Sequence, residues 1–339
     1  MNKILKLFDE QYVIKLFKKE VLPRYPDFSD IKKIQITPIK KYIWAETYHV
    51  VIKFETSFLT KDGKKKKLPL YCSGHSDEPR KNVYNGLKYL WDNGFSKGYL
   101  TIPHPLFYSS YFKAVFYRGV KGHNLYYYIG RNNYSEIKAI TIKAASWFAK
   151  LHTSPTIKAK NFNKENSRIA TVIPNHKIVL KSVKRRYEKY YNIYEKAFEI
   201  LIGREEEFLN STKKRWLIHG DAHPENIIRM SKNKLAVIDF TDLCLADFAR
   251  DLGTFFQQFE YMSSRKGIRK DYIVKMKALF LKNYLKESKK NKDSDLRERI
   301  DTYYNWTVLR TATFFLLKDN ARPDRADELL KILKSNLKL

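Results

Sequence analysis

Apolar and polar residues alternate along residues 31–73, and this alternation predicts β-strands. Three runs show the pattern, namely IKKIQITPI, YHVVIKFETSFLT and KKLPLYCSG. Successive side chains of a strand point to opposite faces, so a period of two indicates strands with one buried face. The Asp62-Gly63 pair between the second and third runs is a strong hairpin signal. These residues therefore predict a small antiparallel sheet.

Apolar residues recur at helical spacing on both sides of these strands. The pattern within residues 1–20 predicts a leading amphipathic helix that packs on the protein. Residues 79–94 predict a second helix, which begins at a proline and ends before a glycine. A short strand-like run at 111–116 follows. We therefore expect residues 1–118 to form a small, strand-rich lobe. The motifs discussed below assign nucleotide binding to this lobe.

The chain after residue 118 is predicted to be mainly helical. Helical spacing of apolar residues is found in the segments 135–152, 177–209, 247–262, 271–288, 294–318 and 323–337. A single strand-like run, KLAVIDF, follows a SKNK turn between the second and third of these helices. The fold class is therefore predicted to be α+β and bilobal, with residues 119–339 as the larger helical lobe and a cleft between the two lobes.

The charge balance raises the possibility of a polyanionic partner. The chain has 66 Lys and Arg residues against 36 Asp and Glu, a formal net charge of +30. A field of this size attracts nucleic acid or an anionic membrane. The lysines are scattered, however, and only KKKK at 64–67 is a tight run. We therefore favour a compositional bias over a dedicated polyanion surface, and the sequence leaves the oligomeric state unknown.

Cysteine usage and hydropathy indicate a compartment. Cys72 and Cys244 are too few for a disulfide framework or a CxxC metal site. The first twenty residues lack the apolar core of a signal peptide, and no run approaches the roughly 20 apolar residues of a membrane span. We expect the protein to be cytoplasmic.

The segment WLIHGDAHPENIIRM, residues 216–230, gathers polar groups between apolar runs. Pro224 prevents a regular helix through it, so His219 and His223 do not stack one turn apart as in a helical zinc site. A zinc site would also leave Asn226 unexplained. The simpler alternative is a polar loop that caps its own backbone, although loops with this much hydrogen-bonding capacity usually carry a function.

A second acidic position follows at the end of the run KLAVIDFTD. If this strand pairs with IIRM, Asp239 returns beside the loop that carries Asp221 and Asn226. Two carboxylates and an amide oxygen are hard ligands that suit Mg²⁺ rather than zinc. Phosphoryl transfer uses such a set, because one acid accepts the proton of the acceptor hydroxyl while an asparagine and an aspartate hold magnesium on the phosphates.

These motifs resemble the aminoglycoside phosphotransferase/choline kinase-like family, a branch of the protein-kinase-like fold. The family pattern H-G-D-x-H-x-x-N followed by I-D is matched by His219, Gly220, Asp221, His223, Asn226, Ile238 and Asp239. The resemblance implies a bilobal protein-kinase-like fold, with a small antiparallel-sheet N-terminal lobe and a larger, mainly helical C-terminal lobe. It also implies ATP-dependent transfer of the γ-phosphoryl group to a hydroxyl of a small molecule, such as a sugar, in the cleft between the lobes.

The resemblance assigns roles to individual residues. Asp221 would be the catalytic base or would orient the acceptor hydroxyl, and Asn226 and Asp239 would be the ligands of Mg²⁺. His219 and His223 would support catalysis by ordering this loop.

Three further segments extend the resemblance. FYRGVKGHNL is similar to the hinge of the family, which places the adenine-binding backbone near Phe116, Tyr117 and Arg118. AASWFAKLH and LADFARDLGTFF are similar to the helix before the catalytic loop and to the segment that buttresses it. This similarity gives His152 a packing role and Asp251 a buttressing role.

The N-terminal lobe departs from the family pattern. Such kinases hold the phosphates with a lysine on the third strand, paired with a glutamate on the following helix. Here LPLYCSGHSD offers Cys72 and Ser73 instead, KNVYNGLKYLW contains no glutamate, and TPIKKYIWAETY contains no glycine. The candidates for phosphate contact are Lys40, Lys41, Lys53, His75 and Arg80. We favour Arg80, because a fork of donors at the start of the helix could reach a phosphate. The alternative function is a nucleotide-binding pseudokinase with a regulatory role.

Overall fold

The alternating segments near the amino terminus form the strands of a five-stranded antiparallel sheet. The computed structural model describes residues 2–156, 159, 162–290 and 294–339. The chain divides into two compact units. The first unit comprises Met1–Gly122 and Met230–Thr241, and the second comprises His123–Arg229 and Asp242–Leu339. The fold class is α+β, as the sequence predicts.

The elements run in the following order along the chain. The first part contains a 3-10 helix (Lys3–Phe8), α1 (Glu10–Glu20), β1 (Phe28–Ile43), β2 (Tyr48–Thr60), β3 (Lys65–His75), α2 (Lys81–Leu90), β4 (Leu100–Thr101), β5 (His104–Ser109) and β6 (Ala114–Arg118). The middle part contains β7 (His123–Asn124), α3 (Leu125–Ile129), α4 (Tyr134–His152), α5 (His176–Arg186), α6 (Tyr191–Ser211), β8 (Trp216–Ile218), β9 (Ile227–Arg229) and β10 (Leu235–Val237). The last part contains β11 (Cys244–Ala246), α7 (Ala249–Ser264), α8 (Lys270–Ser288), α9 (Ser294–Leu317) and α10 (Pro323–Leu337).

The sheet of the first unit has the order β1-β2-β3-β6-β5. The predicted hairpin turn joins β2 to β3, and Gly63 there has a φ of 79°, a left-handed conformation that glycine adopts without steric cost. Alternate residues of β2 are fully buried, which is the period of two seen in the sequence. On β3, Leu70 and Cys72 point to the same side as the buried residues of β2 and pack with α1 in one hydrophobic core. Tyr71 and its alternate neighbours therefore lie on the opposite face.

The leading helix predicted for residues 1–20 is present but interrupted. Asp9 is extended, with a φ of −93° and a ψ of 116°, and its side chain accepts a hydrogen bond from the backbone N–H of Tyr12. Aspartate competes with helical backbone bonds in this way and favours the cap position. The segment therefore divides into a 3-10 helix and α1, and its packing on the protein agrees with the prediction.

The single long helix predicted for residues 177–209 is wrong. The backbone of Tyr187 leaves the helical region, with a φ of −148° and a ψ of 55°, and separates α5 from α6. The ring of Tyr190 is then buried and its hydroxyl donates a hydrogen bond of 2.5 Å to Asp327 on α10. No proline or glycine marks the break in the sequence, so this tertiary contact replaces the continuous helical ladder without a local signal.

The remaining predicted helices of the second unit form with similar bounds, as α4, α7, α8, α9 and α10. α9 is the central helix, since it contacts α7, α10, α6 and α5. Gly253 of α7 allows the closest approach, because a Cβ atom there would lie 2.6 Å from the carbonyl oxygen of Ile300. Within the residues that the structure describes, no helix combines the length and hydropathy needed to cross a membrane.

Candidate active site

The polar segment predicted to carry catalysis forms a tight loop after β8 in the second unit. Residues 219–223 have no regular structure, and Pro224–Asn226 form one 3-10 turn with the proline in its first position. Gly220 has a φ of 83°, and a Cβ atom there would lie 2.5 Å from the carbonyl oxygen of Asp242. Only glycine fits both the dihedral angle and this approach, which explains the residue between His219 and Asp221.

Asp251 anchors the start of this loop through hydrogen bonds to the loop backbone. It lies in the first turn of α7 and is fully buried. Its carboxylate accepts hydrogen bonds from the backbone N–H groups of His219, at 2.7 Å, and Gly220, at 2.8 Å. It also lies 3.0 Å from Nε2 of His152, whose Nδ1 is 2.9 Å from the hydroxyl of Tyr284. The buttressing contact inferred for Asp251 is thus an explicit set of hydrogen bonds.

The protonation states in this buried set follow from its environment. Burial lowers the pKa of His152 and outweighs the contrary effect of Asp251. Burial also raises the pKa of Tyr284, so its hydroxyl keeps its proton and donates to Nδ1 of His152. Burial raises the pKa of Asp251, but the hydrogen bond from His152 and the donors around it lower the net value. The network is therefore a neutral histidine that donates from Nε2 to a carboxylate.

His219 is fully buried and orders the loop from within. Its Nδ1 lies 3.3 Å from the backbone nitrogen of Asp221 and accepts that N–H group. The ring also packs edge-on against Trp147. A buried ring that accepts a backbone hydrogen bond serves to position Asp221 rather than to meet a substrate.

His223 contacts the candidate base itself. Its Nδ1 accepts the backbone N–H of Glu225 at 3.3 Å, which caps the 3-10 turn. Its Nε2 lies 3.3 Å from Oδ2 of Asp221. Because Nδ1 is an acceptor, Nε2 carries the proton and donates it to the carboxylate. His223 thus fixes the direction of the Asp221 side chain, of which 36% is exposed.

The surroundings of Asp221 favour its ionised form. Burial raises its pKa, but the hydrogen bond from His223 and the positive charge of Arg310 bring the pKa below its usual range. Arg310 lies on α9 and donates from Nη2 to Oδ2 of Asp242 at 3.1 Å. The other oxygen of Asp242 accepts a bond of 2.7 Å from Nδ2 of Asn166. Asp242 is therefore occupied by two protein donors.

Asn226 is held in an orientation suited to a cation. Its Nδ2 donates to the carbonyl oxygen of Asp221 at 3.0 Å, and this contact fixes which end of the amide carries the oxygen. Within the described ranges no hydrogen bond reaches its Oδ1. The donor set of the loop is thus a carboxylate and an oriented amide oxygen, which are the ligand types that Mg²⁺ prefers.

Asp239 belongs to the first unit, at the end of the β10 segment. Its φ is 64°, a left-handed conformation that aspartate tolerates better than most residues. The turn leaves the carboxylate exposed while the next residue, Phe240, is buried. Oδ1 accepts a hydrogen bond of 2.8 Å from the hydroxyl of Thr241. The exposed carboxylate of Asp239 offers hard oxygen ligands, which fits the chemistry of a magnesium ligand.

The sheet of the first unit has a half-buried face opposite the hydrophobic core. Lys53 lies on this face of β2, directly across from Tyr71 of β3. Its Nζ is 2.7 Å from Oε2 of Glu55, two residues along the same strand. That hydrogen bond raises the pKa of Lys53, so the ammonium group stays charged. Tyr71 in turn stacks on Tyr117 of β6, with ring centroids 5.6 Å apart.

The three residues expected at the adenine-binding hinge differ in burial and in backbone pairing. Phe116 points into the core, and its backbone is paired with both neighbouring strands. Tyr117 lies on the half-buried face, where burial and the nearby carboxylate of Asp239 raise its pKa. Arg118 is the last residue of β6, and Gly119 N–H donates to the carbonyl of Pro69. The backbone beyond Gly119 is therefore the part of the hinge that the sheet leaves unpaired.

Arg80 and the histidines lie at the end of the sheet that carries the β1–β2 turn. Arg80 is 93% buried and its Nη1 is 3.2 Å from Glu78, so its charge already has a partner. His49 and His75 have ring centroids 4.6 Å apart on the same face as Lys53. Burial and the nearby Lys40 lower the pKa of His49 to about 4. The two rings and Trp44 line a cavity of about 460 Å³.

Glu55 and Arg310 are residues of the site that the sequence motifs do not predict. Glu55 was not considered, because an acid two residues from a lysine on one strand is common on exposed sheets. Arg310 lies 89 positions after Asp221, and its approach to the loop depends on how α9 packs. Alternation along β2 could have identified Glu55 as a partner of Lys53, whereas no local pattern identifies Arg310.

Comparison with known proteins gives a consistent result. The sequence profile of the phosphotransferase enzyme family matches residues 53–274. No curated protein sequence matches the chain significantly. The fold is similar to that of a spectinomycin phosphotransferase solved with ADP and spectinomycin, at 12% identity and a TM-score of 0.57, covering 98% of this chain and 99% of that one.

Two kinases of other substrates share the fold as well. An ethanolamine kinase of Plasmodium vivax is 15% identical with a TM-score of 0.60, covering 99% of this chain and 91% of that one. A choline kinase of Streptococcus pneumoniae is 14% identical with a TM-score of 0.57, covering 96% and 99%. The fold is the protein-kinase-like fold predicted from the motifs. Since the profile covers more than half of the sequence, this chain belongs to the phosphotransferase enzyme family.

Proposed function

We propose that the protein is a small-molecule kinase that transfers the γ-phosphoryl group of ATP to a hydroxyl group, with Mg²⁺ as cofactor. The observation that carries this proposal is the loop around Asp221. Its carboxylate is ionised, aimed by His223 and anchored through Asp251, and Asn226 is oriented beside it. The structural relatives include a spectinomycin phosphotransferase solved with ADP, an ethanolamine kinase and a choline kinase, which supports this class of reaction.

In this proposal Asp221 receives the proton of the acceptor hydroxyl. The oxygen of the acceptor then forms a bond to the γ-phosphorus as the bond to the β-phosphate oxygen breaks, which leaves ADP. His223 keeps Oδ2 of Asp221 in a fixed direction, and His219 holds its backbone. Because most of the catalysis in phosphoryl transfer comes from positioning and charge, a fixed carboxylate is the main contribution of this loop.

We assign Asn226 and Asp239 as the ligands of magnesium. Bound there, the ion would neutralise the charge of the phosphates. The protein's own part is to present an amide oxygen whose orientation is set by the Asp221 carbonyl and a carboxylate held by Thr241.

We assign the nucleotide to the half-buried face of the first unit, and Lys53 to its phosphates. The choice of Lys53 over Arg80 follows from their surroundings. Arg80 is almost fully buried beside Glu78, whereas 32% of the Lys53 side chain is exposed on the face that carries Tyr71 and Tyr117. The Lys53–Glu55 pair has the same chemistry as the strand-lysine and helix-glutamate pair that the sequence lacks at its usual place. The absence of that usual pair was the reason to consider a pseudokinase.

The test of the proposed function is a transfer assay with ATP, Mg²⁺ and a panel of hydroxyl compounds that includes neutral sugars, sugar acids, choline, ethanolamine and aminoglycosides. We expect ADP release that depends on one class of acceptor and stops when EDTA removes the metal. Nucleotide binding without acceptor-dependent ADP release would identify a pseudokinase instead. The charge of the chain favours a neutral or anionic acceptor, since the acids of the last hundred residues are matched by lysines.

Replacing Lys53 with methionine is expected to lower kcat/KM for ATP by about 10- to 100-fold. Hydrogen bonds to charged groups contribute about 1.5–3 kcal/mol, and 1.4 kcal/mol corresponds to a factor of ten. Steady-state kinetics with varied ATP measure the effect. The same substitution at Lys65, an exposed lysine of β3, is the matched control and should leave the constant unchanged.

A second substitution tests whether Lys53 or Arg80 contacts the phosphates. Ser73 lies on the same face of β3 and has no bulky side chain, so Ser73→Lys combined with Lys53→Met returns an ammonium group to the third strand. We expect partial recovery of kcat/KM for ATP. A Lys53→Met variant with wild-type kinetics, together with an inactive but folded Arg80→Met variant, would move the phosphate contact to Arg80.

A further inference from the structure

The second unit contains a small apolar cavity beside the candidate catalytic loop. Its volume is about 50 Å³, and it lies between the segment before α5 and the helices α5, α6 and α9. The apolar side chains that line it include Ile169, Val172, Val179, Phe198 and Leu309. Arg310 is its charged member. Because Arg310 also pairs with Asp242 and its charge acts on Asp221, the cavity adjoins the catalytic loop.

The segment at the rim of this cavity is firmly attached to the protein. The backbone N–H of Ile169 donates to Oε2 of Glu205 at 2.7 Å, and Nδ1 of His176 lies 2.8 Å from the carbonyl oxygen of Ala170. Asn166 donates to Asp242 at 2.7 Å, as described above. The rim is therefore a fixed surface whose side chains keep their directions.

Two large aliphatic side chains, one on this segment and one on α5, project into solvent. Ile173 lines the cavity and is 57% exposed, and Ile178, in the first turn of α5, is 54% exposed. The neighbouring Pro174 is exposed as well. A single exposed isoleucine is ordinary, but here three exposed apolar residues fall within six positions of the chain, and two of them, Ile173 and Pro174, line the cavity. Such a patch is of the kind that binds another apolar surface.

Basic residues surround this patch. The sequence of α5, HKIVLKSVKRR, contains no acid. Its exposed cations are Lys177, Lys181, Lys184, Arg185 and Arg186. A basic segment that also exposes aliphatic residues, here Ile173 before the helix and Ile178 in it, has the composition of a membrane-surface element, because the apolar groups enter the lipid boundary while the cations contact anionic head groups.

We propose that α5 and the preceding residues 173–175 dock on an anionic phospholipid membrane, which would place the apolar cavity and the catalytic loop at the lipid surface. The proposal rests on the proposed function only for the identity of that loop. Nucleic acid is the less suitable polyanion, since it is bound by cations and stacked aromatic rings, and exposed isoleucines contribute nothing to phosphate contacts. The net charge of +30 adds a general attraction but does not by itself select this face.

Vesicle sedimentation of the full chain tests the proposal. We expect the protein to sediment with vesicles of phosphatidylcholine that contain about one third phosphatidylserine, and not with pure phosphatidylcholine. Ile178→Glu should lower the partition coefficient by about tenfold, because it removes an apolar contact and adds a repulsive charge. Val274→Glu places the same charge at another aliphatic residue, 56% exposed on α8, and is the matched control.

The outcomes are separable from those of the kinase assay, because sedimentation needs neither ATP nor an acceptor. Equal loss of binding in the Ile178 and Val274 variants, or no binding to the anionic vesicles, would overturn the docking surface and leave the proposed kinase function intact. Capture of the protein by RNA with no vesicle binding would assign the basic face to nucleic acid instead. Circular dichroism of both variants establishes that each is folded.

Discussion

Replacement of Asp221 by asparagine is expected to lower kcat by about 10²- to 10⁴-fold, the range that general base catalysis contributes. The reason lies in the geometry of the loop. Asparagine keeps the size of the side chain and can accept the hydrogen bond from His223, but it cannot take up the proton of an acceptor hydroxyl. KM for ATP should change little, because Asp221 belongs to the loop of the second unit and the nucleotide is assigned to the sheet of the first.

The measurement is single-turnover transfer from ATP to the best acceptor of the panel. Glu225→Gln is the matched control, since Glu225 lies four residues away, in the 3-10 turn that follows Asp221, with half of its side chain exposed. It should retain wild-type kcat. An Asp221→Asn variant within threefold of wild type would remove Asp221 from the catalytic role and leave the loop as a structural element.

Replacement of Asp251 by asparagine is expected to lower the free energy of unfolding by about 3 kcal/mol, since each buried donor that is left unsatisfied costs about 1–3 kcal/mol. The carboxylate accepts hydrogen bonds from His219 N–H, Gly220 N–H and His152 Nε2. Asparagine must direct its own NH₂ group toward one of these donors. Activity should fall as well, because the same contacts place the start of the catalytic loop.

Urea denaturation at neutral pH measures this loss. Asp271→Asn removes an exposed carboxylate from the first turn of α8 and should leave the denaturation midpoint unchanged. An Asp251→Asn variant as stable as the wild type would show that the buried set tolerates a missing acceptor, contrary to the structure.

The pH dependence of this loss follows from the lowered pKa of Asp251. A carboxyl group whose pKa is lowered in the folded protein contributes stability that is fully present above its unfolded pKa of 3.8. This stability is lost as the pH falls through the lower folded pKa. The difference between wild type and Asp251→Asn should therefore be largest at neutral pH and should shrink in strong acid.

Local patterns in the sequence were sufficient for most elements and for the loop of the second unit. The period of two along β2, the Asp62-Gly63 turn and the spacing from His219 to Asn226 are all set by near neighbours. The contacts that differ from expectation are long-range. The break at Tyr187 accompanies a bond to Asp327, 137 residues after Tyr190, and the approach of Arg310 to the loop depends on the packing of α9. Such contacts leave no periodic trace.

In the N-terminal lobe, the residue that contacts the phosphates also could not be chosen from local sequence patterns. The candidates for the missing strand lysine are Lys40, Lys41, Lys53, His75 and Arg80, and the position of Arg80 at the start of the helix favours it in the sequence. The choice depends on which face of the sheet each side chain occupies and on how far it is exposed. β2 pairs with β3 so that Lys53 lies across from Tyr71. Arg80 is buried, and its guanidinium group contacts the carboxylate of Glu78.

The Lys53–Glu55 pair has a consequence for how such an enzyme can be regulated. In protein kinases the lysine is on a strand and its glutamate on a helix, so a displacement of that helix separates the two and switches the enzyme off. Here both partners lie on β2, two residues apart, and no movement of α2 can separate them. On the proposed assignment, the Lys53–Glu55 pair is assembled whenever the sheet is folded, so a displacement of α2 cannot act as the switch of this kinase.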